Sequence, residues 1–308
     1  LLREKMNFNG LVVTDASHMV AMTSPLKRSE MLPTAIAAGS DLFLFFNDPD
    51  EDFGYMMDGY KKGIITDERL EEALTRILGT KAALGLHTKA KTEILPKKEE
   101  AMAKIGLPEN TAIEAEVSDK GITLLKNKEG IFPITTEKHK RILLVEVKGI
   151  DSGFGKLMAM MNGGKKTPIE NLKELLEAEG HEVEIYESPM DKIMKLPKEE
   201  LMGAIMNVYA QKRPISDLTD NYDLIINVAN VAPNSHQRIE WPASKGTPDI
   251  PFYVNEVPTI FVSIQSPFHL ADVPQVKTYI NAYDGKESTL KALVEKMVGR
   301  SEFIGVSP

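Results

Sequence analysis

The feature that most constrains the fold is a repeated alternation of short apolar runs with helical segments. Three of the runs, RILLVEV, DLIINVAN and TIFVSI, are apolar at consecutive positions, as strands covered on both faces are. We predict strands at residues 121–127, 141–147, 182–186, 223–230 and 259–264, and helices near residues 109–119, 168–179, 198–211 and 288–298. This alternation predicts a doubly wound α/β sandwich with a mainly parallel sheet.

A shorter alternation of the same kind precedes this part of the chain. LVVT (residues 11–14) and SDLFLFF (residues 40–46) are predicted parallel strands, with a helix over residues 29–38 between them. Thr66 is a predicted N-cap, acidic residues follow it in the first turn, and Gly85 is a predicted helix stop. The apolar face of that helix consists of Leu70, Ala73, Leu74, Ile77 and Leu78.

The domain organisation follows from the polar, lysine-rich stretch TKAKTEILPKKEE, which is typical of a linker. We therefore predict βα units over residues 1–87, a linker over residues 88–100 and an α/β domain over residues 101–308. A chain of 308 residues is long enough for two domains with separate cores. Because it starts at Leu1 inside a predicted helix, we expect it to be a piece of a longer protein.

Composition excludes several classes of protein. A formal net charge of −8 argues against a nucleic-acid partner, and no apolar run reaches the ~18 residues of a membrane helix. The absence of cysteine excludes disulfides and thiol chemistry and favours a reducing compartment such as the cytoplasm. Secretion stays open, since a signal peptide would precede Leu1.

No cofactor or metal is expected. The Gly-rich stretch KGIDSGFGK (residues 148–156) has neither phosphate-loop nor dinucleotide spacing, and Leu157 replaces the hydroxyl residue that would bind Mg²⁺. The six histidines are not at helical ligand spacing, and no G-x-S-x-G elbow is present.

Two places combine residues that could carry chemistry. Asp15 directly follows the predicted strand LVVT, and the carboxyl end of a parallel strand is where reactive groups of α/β folds lie. The alternative is that Asp15 is an ordinary solvated residue of a turn, without a chemical role. The loop SHQRIEWP (residues 235–242) brings His236, Arg238 and Trp241 past another strand end. The face of a Trp ring and the guanidinium of an Arg are suited to bind a sugar. The same residues are equally compatible with a loop that its Trp merely anchors to the protein.

Several segments together resemble glycoside hydrolase family 3. FNGLVVTDASHM is similar to the family's nucleophile segment, AIAAGSDLFLF to its last barrel strand, and RLEEALTRILGTKAALGL to its closing helix. ITLLKN with FPI resembles the entry to its α/β-sandwich domain. PTIFVSIQSPFHLADVPQVKTYINAY is similar to a late strand and helix of that domain, and FIGVSP to its end. The resemblance implies that residues 1–87 are the last βα units of a (β/α)₈ barrel.

The resemblance also implies roles for residues. Asp15 takes the place of the nucleophile of a retaining mechanism, which proceeds through a covalent glycosyl–enzyme intermediate. β-Glucosidase-like members have Trp after the nucleophile and a Glu acid before an Asp-Arg pair. Here Ala16 follows Asp15, and Arg238 is retained without any carboxylate from Val231 to Gln237.

These departures favour the N-acetylglucosaminidase-like branch, whose acid/base is a His–Asp pair upstream of the nucleophile. That segment is expected before Leu1, and His18 is the candidate substitute within the chain. We therefore expect the C-terminal portion of a retaining glycoside hydrolase that cleaves terminal β-N-acetylglucosaminides, inactive by itself. The alternatives are a β-glucosidase or β-xylosidase of the same family and a non-catalytic sugar-binding protein. The sequence leaves the sugar, the aglycone and the oligomeric state open.

Overall fold

In a computed structural model the chain forms two compact units, Leu1–Ile105 and Gly106–Pro308. The structure describes residues 1–149, 166–193, 195–231, 239–243, 245 and 248–307. Most of the Gly-rich stretch 148–156 and the first half of the loop 235–242 lie outside these ranges. Within them, no helix is both long and apolar enough to cross a membrane.

The first unit is built from helices around one short pairing of extended segments. Val13 and Leu42 form a single parallel bridge, and the Thr14 N–H donates to the Leu42 carbonyl at 3.0 Å. The helices are α1 (Val20–Thr23), α2 (Arg28–Ala37), α3 (Pro49–Lys61), α4 (Asp67–Ala83), α5 (Lys91–Ile94) and α6 (Lys98–Met102).

Local sequence explains where these helices begin and end. The Asp48 carboxylate caps α3 by accepting from the N–H groups of Asp50 and Glu51, with Pro49 in the first turn. Thr66 caps α4 by accepting from the Arg69 N–H at 3.2 Å, and Gly85 follows the helix with φ of +67°. The predicted cap and stop of α4 are confirmed.

Three features of the first unit differ from the prediction. The segments at residues 11–14 and 40–46 were predicted as full strands, but they are joined by one bridge only. Each segment pairs only with the other among the described residues, and Phe45 leaves the extended conformation with φ of +59°. Helix α3 was not predicted, although its acidic cap and Pro49 are strong start signals. The apolar face of α4 is largely exposed, at 44% for Leu74 and 58% for Leu78, and only Ala73 is buried.

The predicted linker, residues 88–100, contains the short helix α5 and the beginning of α6, which ends at Met102. The second unit contains helices α7 (Pro108–Gly121), α8 (Pro168–Ala178), α9 (Pro189–Ile193), α10 (Lys198–Ala210), α11 (Ser216–Thr219) and α12 (Glu287–Met297). Its strands are β1 (Thr123–Asn127), β2 (Arg141–Gly149), β3 (Glu182–Ile185), β4 (Leu224–Asn230), β5 (Ile239–Glu240), β6 (Thr259–Ser263) and β7 (Thr278–Asn281).

These seven described strands form one sheet in the order β1-β7-β6-β4-β2-β3, with β5 beside β2. The pairs β2–β3, β2–β4, β4–β6 and β6–β7 are parallel, so the predicted mainly parallel α/β fold is confirmed. The pairs β1–β7 and β2–β5 are antiparallel. In the segment expected to hold a late strand and helix, β6 is followed by one 3₁₀ turn (His269–Ala271) and β7, because prolines interrupt the intervening stretch.

The sheet is buried on both faces. Ile142 and Leu144 of β2 join a core cluster with α8 and α12, in which Leu172 and Leu290 are fully buried. The alternate residues Leu143 and Val145 join a cluster on Tyr253 and Val257. Side chains of a strand alternate between faces, so continuous apolar runs are required when both faces are covered.

Candidate active site

Asp15 follows the bridge residue Val13 by two positions, where the extended segment ends. Its Oδ1 accepts from the N–H of Ala16 at 2.7 Å, and Asp15 is exposed whereas Ala16 is buried. One carboxylate oxygen is therefore held by the local backbone, and the side chain reaches solvent. An anchored carboxylate that is open to solvent can act as a nucleophile or a base.

The backbone on the far side of Asp15 is fixed by Ser17. The Ser17 N–H donates to the Phe45 carbonyl at 3.1 Å, and its Oγ donates to Oδ2 of Asp52 at 2.6 Å. The Asn47 N–H in turn donates to Ser17 Oγ at 3.0 Å. Ser17 and Asp52 are both 0% exposed, so these hydrogen bonds are shielded from water.

Asp52 lies in the first turn of α3 and is compensated by Arg28 of α2. The Arg28 guanidinium donates to Asp52 Oδ1 and, at 2.5 Å, to Glu51, and it stands 5.9 Å from the centre of the Tyr55 ring. Partial burial opposes the charge on Arg28, but the hydrogen bond to Glu51 and the Asp52 charge raise its pKa above the ordinary value. Arg28 and Asp52 thus form an ion pair next to the Ser17 hydroxyl.

A second buried carboxylate holds the segment that leads into Asp15. Asp41 Oδ2 accepts from the Val12 N–H at 3.0 Å and from Arg3 at 2.6 Å, and Oδ1 accepts from Arg69 at 2.7 Å. Arg76 lies 3.4 Å from the same Oδ1. Burial favours the neutral acid, but the Val12 N–H and the arginines outweigh it and lower the pKa of Asp41.

The other predicted site residues are distributed as follows. His18 lies exposed in the turn after Asp15, and no hydrogen bond to its ring is formed by any of the residues that the structure describes. Trp241 belongs to the second unit, where its half-buried ring packs edge-on against Phe261 with centroids 6.1 Å apart. This contact favours the alternative in which the loop is anchored by its Trp. His236 and Arg238 lie outside the described residues.

Sequence patterns did not reveal Ser17, Asp52 or Arg28 as parts of this site. Ser17 lies in TDASHM, but nothing in the sequence shows that its hydroxyl is buried. Asp52 could have been found only by predicting α3, whose first turn PDED looks like ordinary helix-start chemistry. Among the described residues, no group of three potential metal ligands is present.

A mainly parallel α/β sheet and an exposed carboxylate at the end of an extended segment are features that occur in α/β enzymes. Residues 1–80 match the model of the glycosyl hydrolase family 3 N-terminal domain. A β-N-acetylglucosaminidase/β-glucosidase of Cellulomonas fimi is 39% identical over 311 residues, which cover 100% of this chain and 50% of that protein. The chain belongs to glycoside hydrolase family 3.

Solved structures agree with this assignment. A structure of the β-glucoside phosphorylase BglX is 37% identical with a TM-score of 0.73, and covers 99% of this chain and 50% of that one. A family 3 β-N-acetylglucosaminidase from Paenibacillus sp. strain FPU-7 has a TM-score of 0.62, covering 99% of this chain and 52% of that one. At 21% identity, the second likeness shows the fold alone. The chain thus spans about half the length of these relatives.

Proposed function

We propose that the protein containing this chain cleaves terminal β-N-acetylglucosaminides with retention of configuration, and that Asp15 is its nucleophile. The observation that carries the proposal is the placement of Asp15, which is exposed at the end of an extended segment and is held by the Ala16 N–H. Membership of family 3 supports the same role. The backbone is anchored on both sides of Asp15, through the buried Ser17 and through the Val12 N–H that donates to the buried Asp41.

In the proposed reaction the free oxygen of Asp15 attacks the anomeric carbon while a second group protonates the leaving oxygen. The bond to the aglycone breaks and an ester between Asp15 and the sugar forms. The second group then takes a proton from water, which attacks the anomeric carbon and releases Asp15 as a carboxylate. A solvent-facing oxygen on Asp15 suits this exchange, because the sugar and then water must reach it.

The choice of N-acetylglucosaminides rests on Ala16, on the missing carboxylate between Val231 and Gln237, and on the name of the Cellulomonas fimi relative. That name also includes β-glucosidase, so a β-glucoside or β-xyloside is the alternative substrate. A non-catalytic sugar-binding protein is the alternative outside the enzymes. Binding roles for Arg238, His236, Trp241 and His18 stay predictions.

We also infer that residues 1–87 are the last βα units of a (β/α)₈ barrel and that residues 101–308 form the sandwich domain, joined by residues 88–100. The parallel bridge between Val13 and Leu42, with α2 between the two segments, supports a βα unit. A barrel of this type takes ~250 residues. The acid/base is accordingly expected outside the βα units of residues 1–87.

A second candidate is transfer of the sugar to phosphate instead of water. The observation that favours it is the 37% identity to a structure named β-glucoside phosphorylase. The Asp15 ester would form in the same way, and a phosphate oxygen would attack it to give a glycosyl phosphate. Turnover of the full-length protein with and without inorganic phosphate separates the two acceptors, because only phosphorolysis consumes phosphate and yields the phosphate ester.

The test of Asp15 itself is substitution in the full-length protein. Asp15→Asn keeps the size of the side chain but removes the nucleophilic charge, so turnover of an aryl N-acetylglucosaminide should fall by on the order of 10⁴. Asp58→Asn is the matched control, since Asp58 is exposed on α3 in the same unit. Turnover by Asp15→Asn within tenfold of the control would reject Asp15 as nucleophile.

A further inference from the structure

The turn that carries Asp15 is joined to the start of α3 through a single side chain. Ser17 uses its N–H and its hydroxyl for three hydrogen bonds: to the Phe45 carbonyl at 3.1 Å, to Asp52 at 2.6 Å, and from the Asn47 N–H at 3.0 Å. The Asn47 N–H also lies 3.2 Å from Asp52 Oδ2. Two turns and a helix therefore meet at one buried hydroxyl.

The chemistry of this junction differs from that of an ordinary serine in a turn. A buried carboxylate is costly unless it is paired, and Asp52 is paired with Arg28 while its other oxygen receives Ser17 and Asn47. Hydrogen bonds to an ionised acceptor are stronger and more directional than those between neutral groups. Asp52 thus fixes the Ser17 side chain to one direction.

The facing turn also carries conformational strain. Phe45 is not glycine yet has φ of +59°, and its side chain is 65% exposed, so packing does not explain the conformation. The carbonyl of this residue is the group that accepts the Ser17 N–H. A strained residue persists only where its surroundings determine it, and such residues cluster at functional sites.

We propose that the Ser17–Asp52–Arg28 network is the positioning device of the nucleophile, in which Asp52 acts through Ser17 to hold the Asp15 carboxylate for attack. The proposal rests on the proposed function of Asp15. Ser17 is two residues after Asp15, and Ala16 between them donates to the Asp15 carboxylate. A shift of Ser17 therefore moves the N–H that orients the nucleophile.

Misplacement of a catalytic group by about 1 Å can cost 10²-fold in rate. Ser17→Ala in the full-length protein should therefore lower kcat by about 10- to 100-fold, with KM within threefold, because the sugar-binding groups are untouched. The rate of labelling of Asp15 by a 5-fluoro glycosyl fluoride should fall by the same factor. Asp52→Asn should act in the same direction, since it weakens the same hydrogen bond.

A double-substitution cycle separates positioning from independent structural losses. If Asp52 acts through Ser17, the protein with both changes should lose no more than the more impaired single variant. Thr66→Ala is the stability control, because it removes the cap of α4 in the same unit without touching Ser17 or Asp52. Its kcat should equal that of the parent protein.

The outcomes distinguish this proposal from the function on which it rests. If Asp15 is labelled in the parent protein and Ser17→Ala is labelled at the same rate, the positioning role alone is overturned. The positioning role would also be overturned if Thr66→Ala lowered kcat as much as Ser17→Ala does and the two variants had the same melting temperature. It would be overturned as well if the fold-losses in kcat of Ser17→Ala and Asp52→Asn multiplied in the double variant. Absence of any label on Asp15 in the parent protein would reject the nucleophile and, with it, the positioning role.

Discussion

Substitution of Asp41 by Asn tests whether the buried carboxylate supports the first unit. Asp41 has no exposed side-chain surface and receives Arg3, Arg69 and Arg76 together with the Val12 N–H. Removal of one partner from a buried ion pair typically costs 3–5 kcal/mol. The arginine side chains keep 10–22% exposure, and Arg69 retains the carbonyls of Ile36 and Ser40. We therefore expect a loss of about 3 kcal/mol from the first unit.

The chain provides separate probes for its two units. Its single tryptophan, Trp241, lies in the second unit, so fluorescence follows that unit while far-UV circular dichroism follows both. In urea, Asp41→Asn should move the early part of the dichroism transition to lower concentration and leave the fluorescence transition unchanged. Asp58→Asn, an exposed change on α3, is the control. Identical dichroism curves for the parent and Asp41→Asn would refute the reasoning.

The same carboxylate predicts a dependence on pH. Because folding lowers the pKa of Asp41, the ionised form contributes stability that is fully present above the unfolded value near 4. That contribution is lost as the pH falls through the lower, folded pKa. The difference in stability between the parent chain and Asp41→Asn should therefore be constant from pH 5 upwards, within the precision of ~0.5 kcal/mol, and shrink in stronger acid. A difference that instead grows on acidification would contradict the sign of the shift.

Two further predictions concern the second unit and the chain as a whole. Leu172 of α8 is fully buried in the cluster under the sheet, so Leu172→Ala should cost about 2–5 kcal/mol and shift the Trp241 fluorescence transition, whereas the exposed Leu74→Ala should not. The purified 308-residue chain should not hydrolyse an aryl N-acetylglucosaminide, because the proposed acid/base is absent from it; measurable turnover would direct attention to His18.

The strands of the second unit could be predicted from the sequence because burial of a strand on both faces requires a continuous run of apolar residues. The runs that became β2, β4 and β6 each contain at least three consecutive apolar residues, whereas a strand with one face in water would alternate apolar with polar residues. Strand β7 was harder to foresee, since TYIN is short and follows a proline-rich stretch, and so was its antiparallel pairing with β1, which the run GITLLKN does predict as a strand. Edge pairing of this kind is decided by tertiary contacts that local patterns do not encode.

In the first unit, too, some residues of the candidate site could be proposed from the sequence and others could not. Asp15 could be proposed from the sequence because a charged residue directly after an apolar run is conspicuous and the surrounding motif is specific. The groups that hold it were not found, because the burial of Ser17 and Asp52 depends on how α3 packs beside the Asp15 turn. Pairing of Asp41 with three arginines likewise joins residues 28 to 38 positions apart. Contacts at such separations leave no periodic signal.

The central claim, that Asp15 forms the covalent intermediate, is tested most directly by mass spectrometry of the full-length protein after reaction with a 5-fluoro N-acetylglucosaminyl fluoride. The reagent slows release of the sugar, so that the glycosyl–enzyme accumulates. We expect the peptide that contains Asp15 to gain the mass of one fluorinated sugar, and Asp15→Asn to remain unlabelled. A label on any other carboxylate, with Asp15 unmodified, would contradict the assignment of the nucleophile.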